Sequence, residues 1–167
     1  MAFSLLPQII LDSVTEITPG LLQQRGIRLL MLDFDNTIVP YTTNVPTTEF
    51  VVWLETMRVS GILVCVVSNS KRDRVPVFCG SLGIPCVTHA RKPFSSGIRR
   101  CLAKYSVPPA SCALAGDQIF TDTLGANAAG ITSVLVRPIY LSNFWLRLRH
   151  WIEQPFIFFA RNRRITS

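Results

Sequence analysis

Five short, nearly unbroken apolar runs recur along this chain, at 29–34, 62–67, 86–88, 112–115 and 132–136, with intervals long enough to hold a helix each. The first, LLMLDF, lacks a 3.6-residue period, and aliphatic runs of this length suit strands buried on both faces. The intervals carry helix signals. Thr47 or Thr48 can cap a helix to about Val59, and residues 72–82 close on Gly83. Ser95 opens another to about Tyr105 ahead of Pro108 and Pro109, and residues 123–129 close on Gly130. Strand alternating with helix predicts an α/β fold, a mainly parallel five-stranded sheet with helices on both faces.

Composition narrows this further. With 49% hydrophobic and 16% charged residues, 167 residues supply the core of one domain and exclude a disordered chain. The mean hydropathy is +0.34, yet the longest apolar runs, near 62–67 and 156–160, fall far short of the roughly 18 to 20 residues that a bilayer span needs. Residues 1–10 have no basic residue ahead of their apolar stretch and no small-residue cleavage site, so no secretory signal is expected and the expected compartment is cytoplasmic. Cys65, Cys79, Cys86, Cys101 and Cys112 are odd in number and form no C-x-x-C pair, which predicts reduced structural thiols.

In an open parallel sheet, ligands gather beyond the carboxyl ends of the strands, so the residues just after each run carry the chemistry. DFDNT closes the first run, and strand alternation sends Phe34 to one face and the carboxylates of Asp33 and Asp35 to the other. Ser68 and Asn69 follow the second run and Lys92 the third. The fourth leads into GDQIFTD, with Asp117 and Asp122. Four of the ten acids thus gather at one expected edge of a chain with 17 Lys and Arg and a net charge of +7. Carboxylates brought together repel and raise one another's pKa, so the cluster calls for a cation, and an all-oxygen set suits Mg²⁺. His89 and His150 are not placed as a metal pair, which argues against zinc.

DFDNT, Ser68, Lys92 and GDQIFTD resemble, in order and spacing, the four motifs of haloacid-dehalogenase (HAD) phosphatases, over about residues 29–136. More narrowly, LLMLDFDNTIVPY, VSNS and GDQIFTDTLGANAAG are similar to the YqeG family (type IIIA), related to mitochondrial phosphatidylglycerophosphate phosphatases. The resemblance implies a Rossmann-like core, with Asp33 as the nucleophile that becomes an aspartyl phosphate and Asp35 as general acid and then base. It further implies Mg²⁺ held by the Asp33 and Asp117 carboxylates and the Asp35 carbonyl, with Asp122 supporting directly or through water. Lys92 would neutralise the transferring phosphoryl group and keep Asp33 ionised, and Ser68 would donate to a phosphate oxygen. Asn69 could bind phosphate or fix its own turn. Asn36 and Thr37 are expected to shape the turn after Asp35 by local hydrogen bonds.

Taken singly, each of these residues could be a helix cap or a solvated charge, and Asp122 could cap the helix that follows it. Their joint position at four strand ends is what favours a site. The 32 residues between Asp35 and Ser68, and the 24 between Lys92 and Asp117, are consumed by a helix and a strand each, leaving no room for a cap domain. An open site cannot use a lid for selectivity, so a large substrate or the surface presenting it must supply it.

Three segments are expected: a helical lead-in at 1–28, the phosphatase core at 29–140 and a basic, aromatic tail at 141–167. The tail holds six aromatic residues and five arginines against Glu153, contributing +4 of the net charge. A helix from Ser142 to Gln154, ended by Pro155, would align Phe144, Trp145, Leu148, Trp151 and Ile152 in one stripe. That stripe either packs on the core or meets an anionic bilayer surface, making the protein peripheral to the membrane. The expected partner is a phosphorylated substrate, a phospholipid headgroup first. A soluble nucleotide or sugar phosphate is the enzymatic alternative, and a noncatalytic phosphate-binding scaffold the alternative of another class. Nucleic acid ranks behind these, since the sequence displays no stacking platform or recognition module.

Overall fold

The computed structural model describes residues 4–140 and 144–163. Six parallel strands form one sheet: β1 (Ile9–Leu11), β2 (Leu29–Leu32), β3 (Leu63–Val67), β4 (Cys86–Val87), β5 (Cys112–Gly116) and β6 (Thr132–Val136), in the order β1-β6-β5-β2-β3-β4. The helices are α1 (Pro19–Gln23), α2 (Thr48–Val59), α3 (Arg74–Ser81), α4 (Ser96–Tyr105), α5 (Leu124–Ala129) and α6 (Phe144–Arg163). Alternation along the strands splits the core in two. Leu30, Leu32, Val64, Val66, Ala113 and Ala115 pack on one face with α2 and α3, while Leu29, Met31, Cys65, Val67 and Leu114 pack on the other with α4 and α5. Burial on both faces is why these strands read as continuous apolar runs.

The sheet has six strands, one more than expected. Ile9–Leu11, inside the stretch read as a helical lead-in, pairs with Val134–Val136, and a 3₁₀ turn (Val14–Glu16) and α1 follow. Three residues are too few to show a strand period, and only β6 gives them a reason to extend, by covering an edge that would otherwise be unpaired. The turn is tied to α2 through Trp53 Nε1, which donates to the Ile17 carbonyl at 2.8 Å.

The tail departs from expectation more sharply, because α6 runs straight through Pro155. A proline inside a helix removes one backbone bond and crowds the preceding turn, at about 3 kcal/mol. Packing on both sides of it holds the helix together: Glu153 and Ala160 are buried, seven residues apart on one face, and the Phe156 ring stands edge-on to Phe120 at 6.1 Å. Phe144, Trp151 and Phe158, also at seven-residue spacing, lie on the opposite face, where Phe144 is 70% and Trp151 72% exposed. Ser142, the expected helix start, and the side chains of Trp145, Arg149 and His150 lie outside the described residues. Among the described residues no helix is long and apolar enough to cross a membrane.

The intervals expected to lack a cap hold α2 with β3, and α4 with β5. All five cysteines are free, and Cys101 Sγ donates to Cys65 Sγ at 3.3 Å in the core between β3 and α4.

Candidate active site

β2 is flanked by β3 and β5, so the chain leaving its carboxyl end meets the exits of both neighbours. Phe34 turns into the core, its ring edge-on to Phe78 at 5.1 Å, as alternation demands. Asp33 emerges on the other side and is buried, its backbone N–H donating to the Ala115 carbonyl of β5 at 2.8 Å. This bond sets Asp33 beside the loop that carries Asp117.

Lys92 joins the distant pieces. Its Nζ donates to Asp33 Oδ1 at 2.6 Å and lies 2.7 Å from Asp122 Oδ1, with all three side chains buried. Burial alone would lower the pKa of this ammonium, but the Asp122 and Asp33 carboxylates outweigh it and raise the pKa above the ordinary lysine value. Burial pushes the Asp122 carboxyl up to about 6, with Lys92 pulling against that rise. Asp33, Asp117 and Asp122 each offer an oxygen within 4.8 Å of the others. Within this group, three carboxylates against one ammonium leave two negative charges over, which a hard divalent cation balances, and oxygen-only donors suit such an ion.

The Asp122 arrangement depends on a glycine. A Cβ on Gly116 would stand 2.3 Å from Asp122 Cγ, so the carboxylate can fold back over the end of β5 only because residue 116 has no side chain. Asp122 Oδ2 then accepts from the Gln118 N–H at 3.2 Å, fastening the loop it belongs to. Asp122 lies within a π-helical turn (Ile119–Thr123) ahead of α5, and no side-chain cap bond is made at the start of that helix. The capping alternative thus gives way to pairing with Lys92.

Ser68 is buried at the end of β3, its Oγ accepting from the Ser70 N–H at 3.0 Å while the hydroxyl hydrogen stays available to donate. Asn69, expected either at the phosphate or in its own turn, spends its amide on Lys92 instead: Nδ2 donates to the Lys92 carbonyl at 2.9 Å, and Oδ1 accepts the Lys92 N–H at 2.7 Å. Asn69 therefore holds Lys92. Asn36 also departs from a purely local role. It sits at a φ of 65°, and its side chain exchanges hydrogen bonds of 2.9 Å with the backbone of Tyr140, 104 residues away, tying the turn after Asp35 to the chain leaving β6.

Two further residues acquire roles that the sequence did not show. Arg74, at the start of α3, places Nη1 3.2 Å from Asp35 Oδ1, donates to the carbonyls of Pro40, Tyr41 and Thr43, and stacks over Phe34 at 5.0 Å. Asp35 is partly buried, and that burial raises its pKa against the opposing pull of Arg74, with Asp33 adding to the rise. The second is Glu153 on α6, whose Oε1 accepts from the Ile119 N–H at 3.0 Å. The single clue to it was a lone acid among five arginines in 141–167.

A HAD-hydrolase-like family model matches residues 89–138. "Probable phosphatase YqeG" of Bacillus subtilis is 34% identical over 150 residues, covering 89% of this chain and 87% of that protein. The cobalt-bound deoxy-D-mannose-octulosonate 8-phosphate phosphatase from Haemophilus influenzae superposes with a TM-score of 0.54 at 14% identity, over 67% of this chain and 69% of that one. An uncharacterised protein from Listeria monocytogenes gives a TM-score of 0.57 at 15% identity, over 71% and 84%. At these identities the structural likeness is one of fold.

Proposed function

The chain belongs to the HAD-like phosphatase family that includes YqeG of Bacillus subtilis, and we propose that it cleaves the phosphomonoester of a phosphatidylglycerophosphate-type lipid through an aspartyl phosphate on Asp33. The observation that carries the chemistry is Lys92 bridging Asp33 and Asp122 beside Asp117. Lys92, hydrogen-bonded to Asp33, offers positive charge to the equatorial phosphoryl oxygens, and Ser68 Oγ donates to one of them.

The Asp33 carboxylate attacks phosphorus, the bond to the leaving oxygen breaks, and Asp35 gives that oxygen its proton. Water then attacks phosphorus, Asp35 takes its proton, and inorganic phosphate leaves as Asp33 is restored. The raised pKa of Asp35 suits it to hold a proton for the first step. Mg²⁺ fits the donor set of Asp33, Asp117 and the Asp35 carbonyl, with Asp122 supporting through Lys92; bound there, it supplies positive charge against the phosphoryl oxygens. Asn69 serves this reading by fixing the backbone from which Lys92 projects.

A lipid substrate is favoured by what surrounds the site. No cap is inserted among the described residues, and α6 turns Phe144, Trp151, Phe158 and Phe159 outward with the exposed Arg147 and Arg161 on its flank. Aromatic and basic residues on one helix suit an anionic bilayer surface, where the protein would be peripheral. Two assays test the two levels. Asp33→Asn is expected to cut Mg²⁺-dependent turnover of an aryl phosphate about 10³-fold or more with the fold intact; unchanged turnover would overturn the mechanism. Trp151→Ser with Phe158→Ser is expected to lower phosphate release from phosphatidylglycerophosphate in anionic vesicles while leaving aryl phosphate turnover alone. Faster release from a soluble nucleotide or sugar phosphate than from the vesicles would move the substrate class to soluble esters.

A further inference from the structure

Glu153 is 1% exposed, yet the phosphatase chemistry above makes no use of it. Burying a carboxylate is costly unless its oxygens are bonded, and a well-packed apolar residue of similar size would serve the helix better if packing were the only need. Among the contacts of Glu153 is a backbone hydrogen bond at a particular place. Ile119 lies two residues past Asp117 and three before Asp122, so the carboxylate grips the loop between two members of the acidic cluster. The neighbouring N–H of that loop, from Gln118, is taken by Asp122 itself. Consecutive N–H groups are thus held from opposite sides, one from inside the loop and one from α6. Asp117 and Glu153 also line one cavity of about 140 Å³, where α6 passes the ends of β1 and β6.

We infer that Glu153 is a positioning residue: from the C-terminal helix it fixes the Gln118–Ile119 backbone, and through it the separation of Asp117 and Asp122, so that the cluster is preformed for a divalent cation. The inference rests on the proposed metal-binding reading of Asp117 and assigns to α6 a task inside the site. Partners that orient metal-binding side chains commonly matter about as much as this predicts, with roughly 10- to 100-fold losses in affinity when removed.

The test is Mn²⁺ binding to the full chain, followed by electron paramagnetic resonance, with Mg²⁺ as competitor. Glu153→Met keeps length and removes the acceptor; it is expected to weaken Mn²⁺ binding about tenfold or more, with the metal-free fold retained by circular dichroism. Glu153→Gln retains an acceptor and is expected within about threefold of the unsubstituted chain. Glu153→Asp draws the carboxylate back by one methylene; its loss, expected between the other two, decides the matter should the methionine variant not fold. Ala160→Gly loosens the same buried face of α6 about two turns beyond Glu153 and is expected to leave Mn²⁺ affinity unchanged. Unaltered binding in Glu153→Met, or equal losses in Ala160→Gly, would overturn the inference while leaving the metal reading in place. Absence of Mn²⁺ binding by the unsubstituted chain would remove both.

Discussion

The contact between Asp35 and Arg74 bears directly on the acid proposed for the reaction. Burial lifts the Asp35 pKa, and the guanidinium holds part of that rise back. If Asp35 is the general acid proposed above, it must be protonated to act, so activity falls as pH climbs through its pKa and the alkaline limb of the rate profile would report Asp35. Removing Arg74 removes a lowering influence. Arg74→Met is therefore expected to move that limb to higher pH in kcat/KM for an aryl phosphate. A limb that stays put or moves down would take Asp35 out of the acid role. Arg74 could not be recognised from its neighbours in sequence, since a basic residue in SKRDR reads as solvated charge; its meaning comes from the Pro40–Thr43 carbonyls that the fold brings to it.

Helices and strands here are placed by packing more than by local preference. Pro155 illustrates this: chemistry along the chain calls for a stop, while burial of Glu153 and Ala160 on either side of it keeps one continuous helix. Pro155→Ala should restore a backbone bond on an exposed position and raise stability by about 1–3 kcal/mol, read as a higher Tm; a lower Tm would mean that the proline does not lie in a helix interior. Gly116 is the opposite case, a residue at the end of β5 with no freedom to change. Gly116→Ala is expected to push Asp122 off Lys92, with a stability loss of about 1–3 kcal/mol and loss of aryl phosphate turnover, since the clash is with a buried side chain on a tight loop. A variant with wild-type activity would show that Asp122 can move without consequence.

For the molecule as a whole, the acidic cluster is expected to make the folded state sensitive to divalent cations. Folding brings Asp33, Asp117 and Asp122 together with one lysine to share, so the metal-free protein carries their repulsion and an added cation relieves it. Mg²⁺ at about 100 times its Kd is expected to stabilise the fold by about 2.7 kcal/mol, read as a rise in Tm that chelation reverses. No rise would argue that the cluster is satisfied by its lysine alone. Much of this was readable along the chain, because a doubly buried strand must be a short apolar run and a parallel sheet must put its polar chemistry just after such runs. Asp33, Asp35, Ser68, Lys92, Asp117 and Asp122 all announce themselves by that rule. The edge strand Ile9–Leu11, the grip of Asn69 on Lys92, the reach of Asn36 to Tyr140 and the hold of Glu153 on Ile119 were decided by tertiary structure alone. Each is a backbone hydrogen-bonding need met by a group distant in sequence, and local patterning records which residues are apolar but not which backbone group a distant side chain will find.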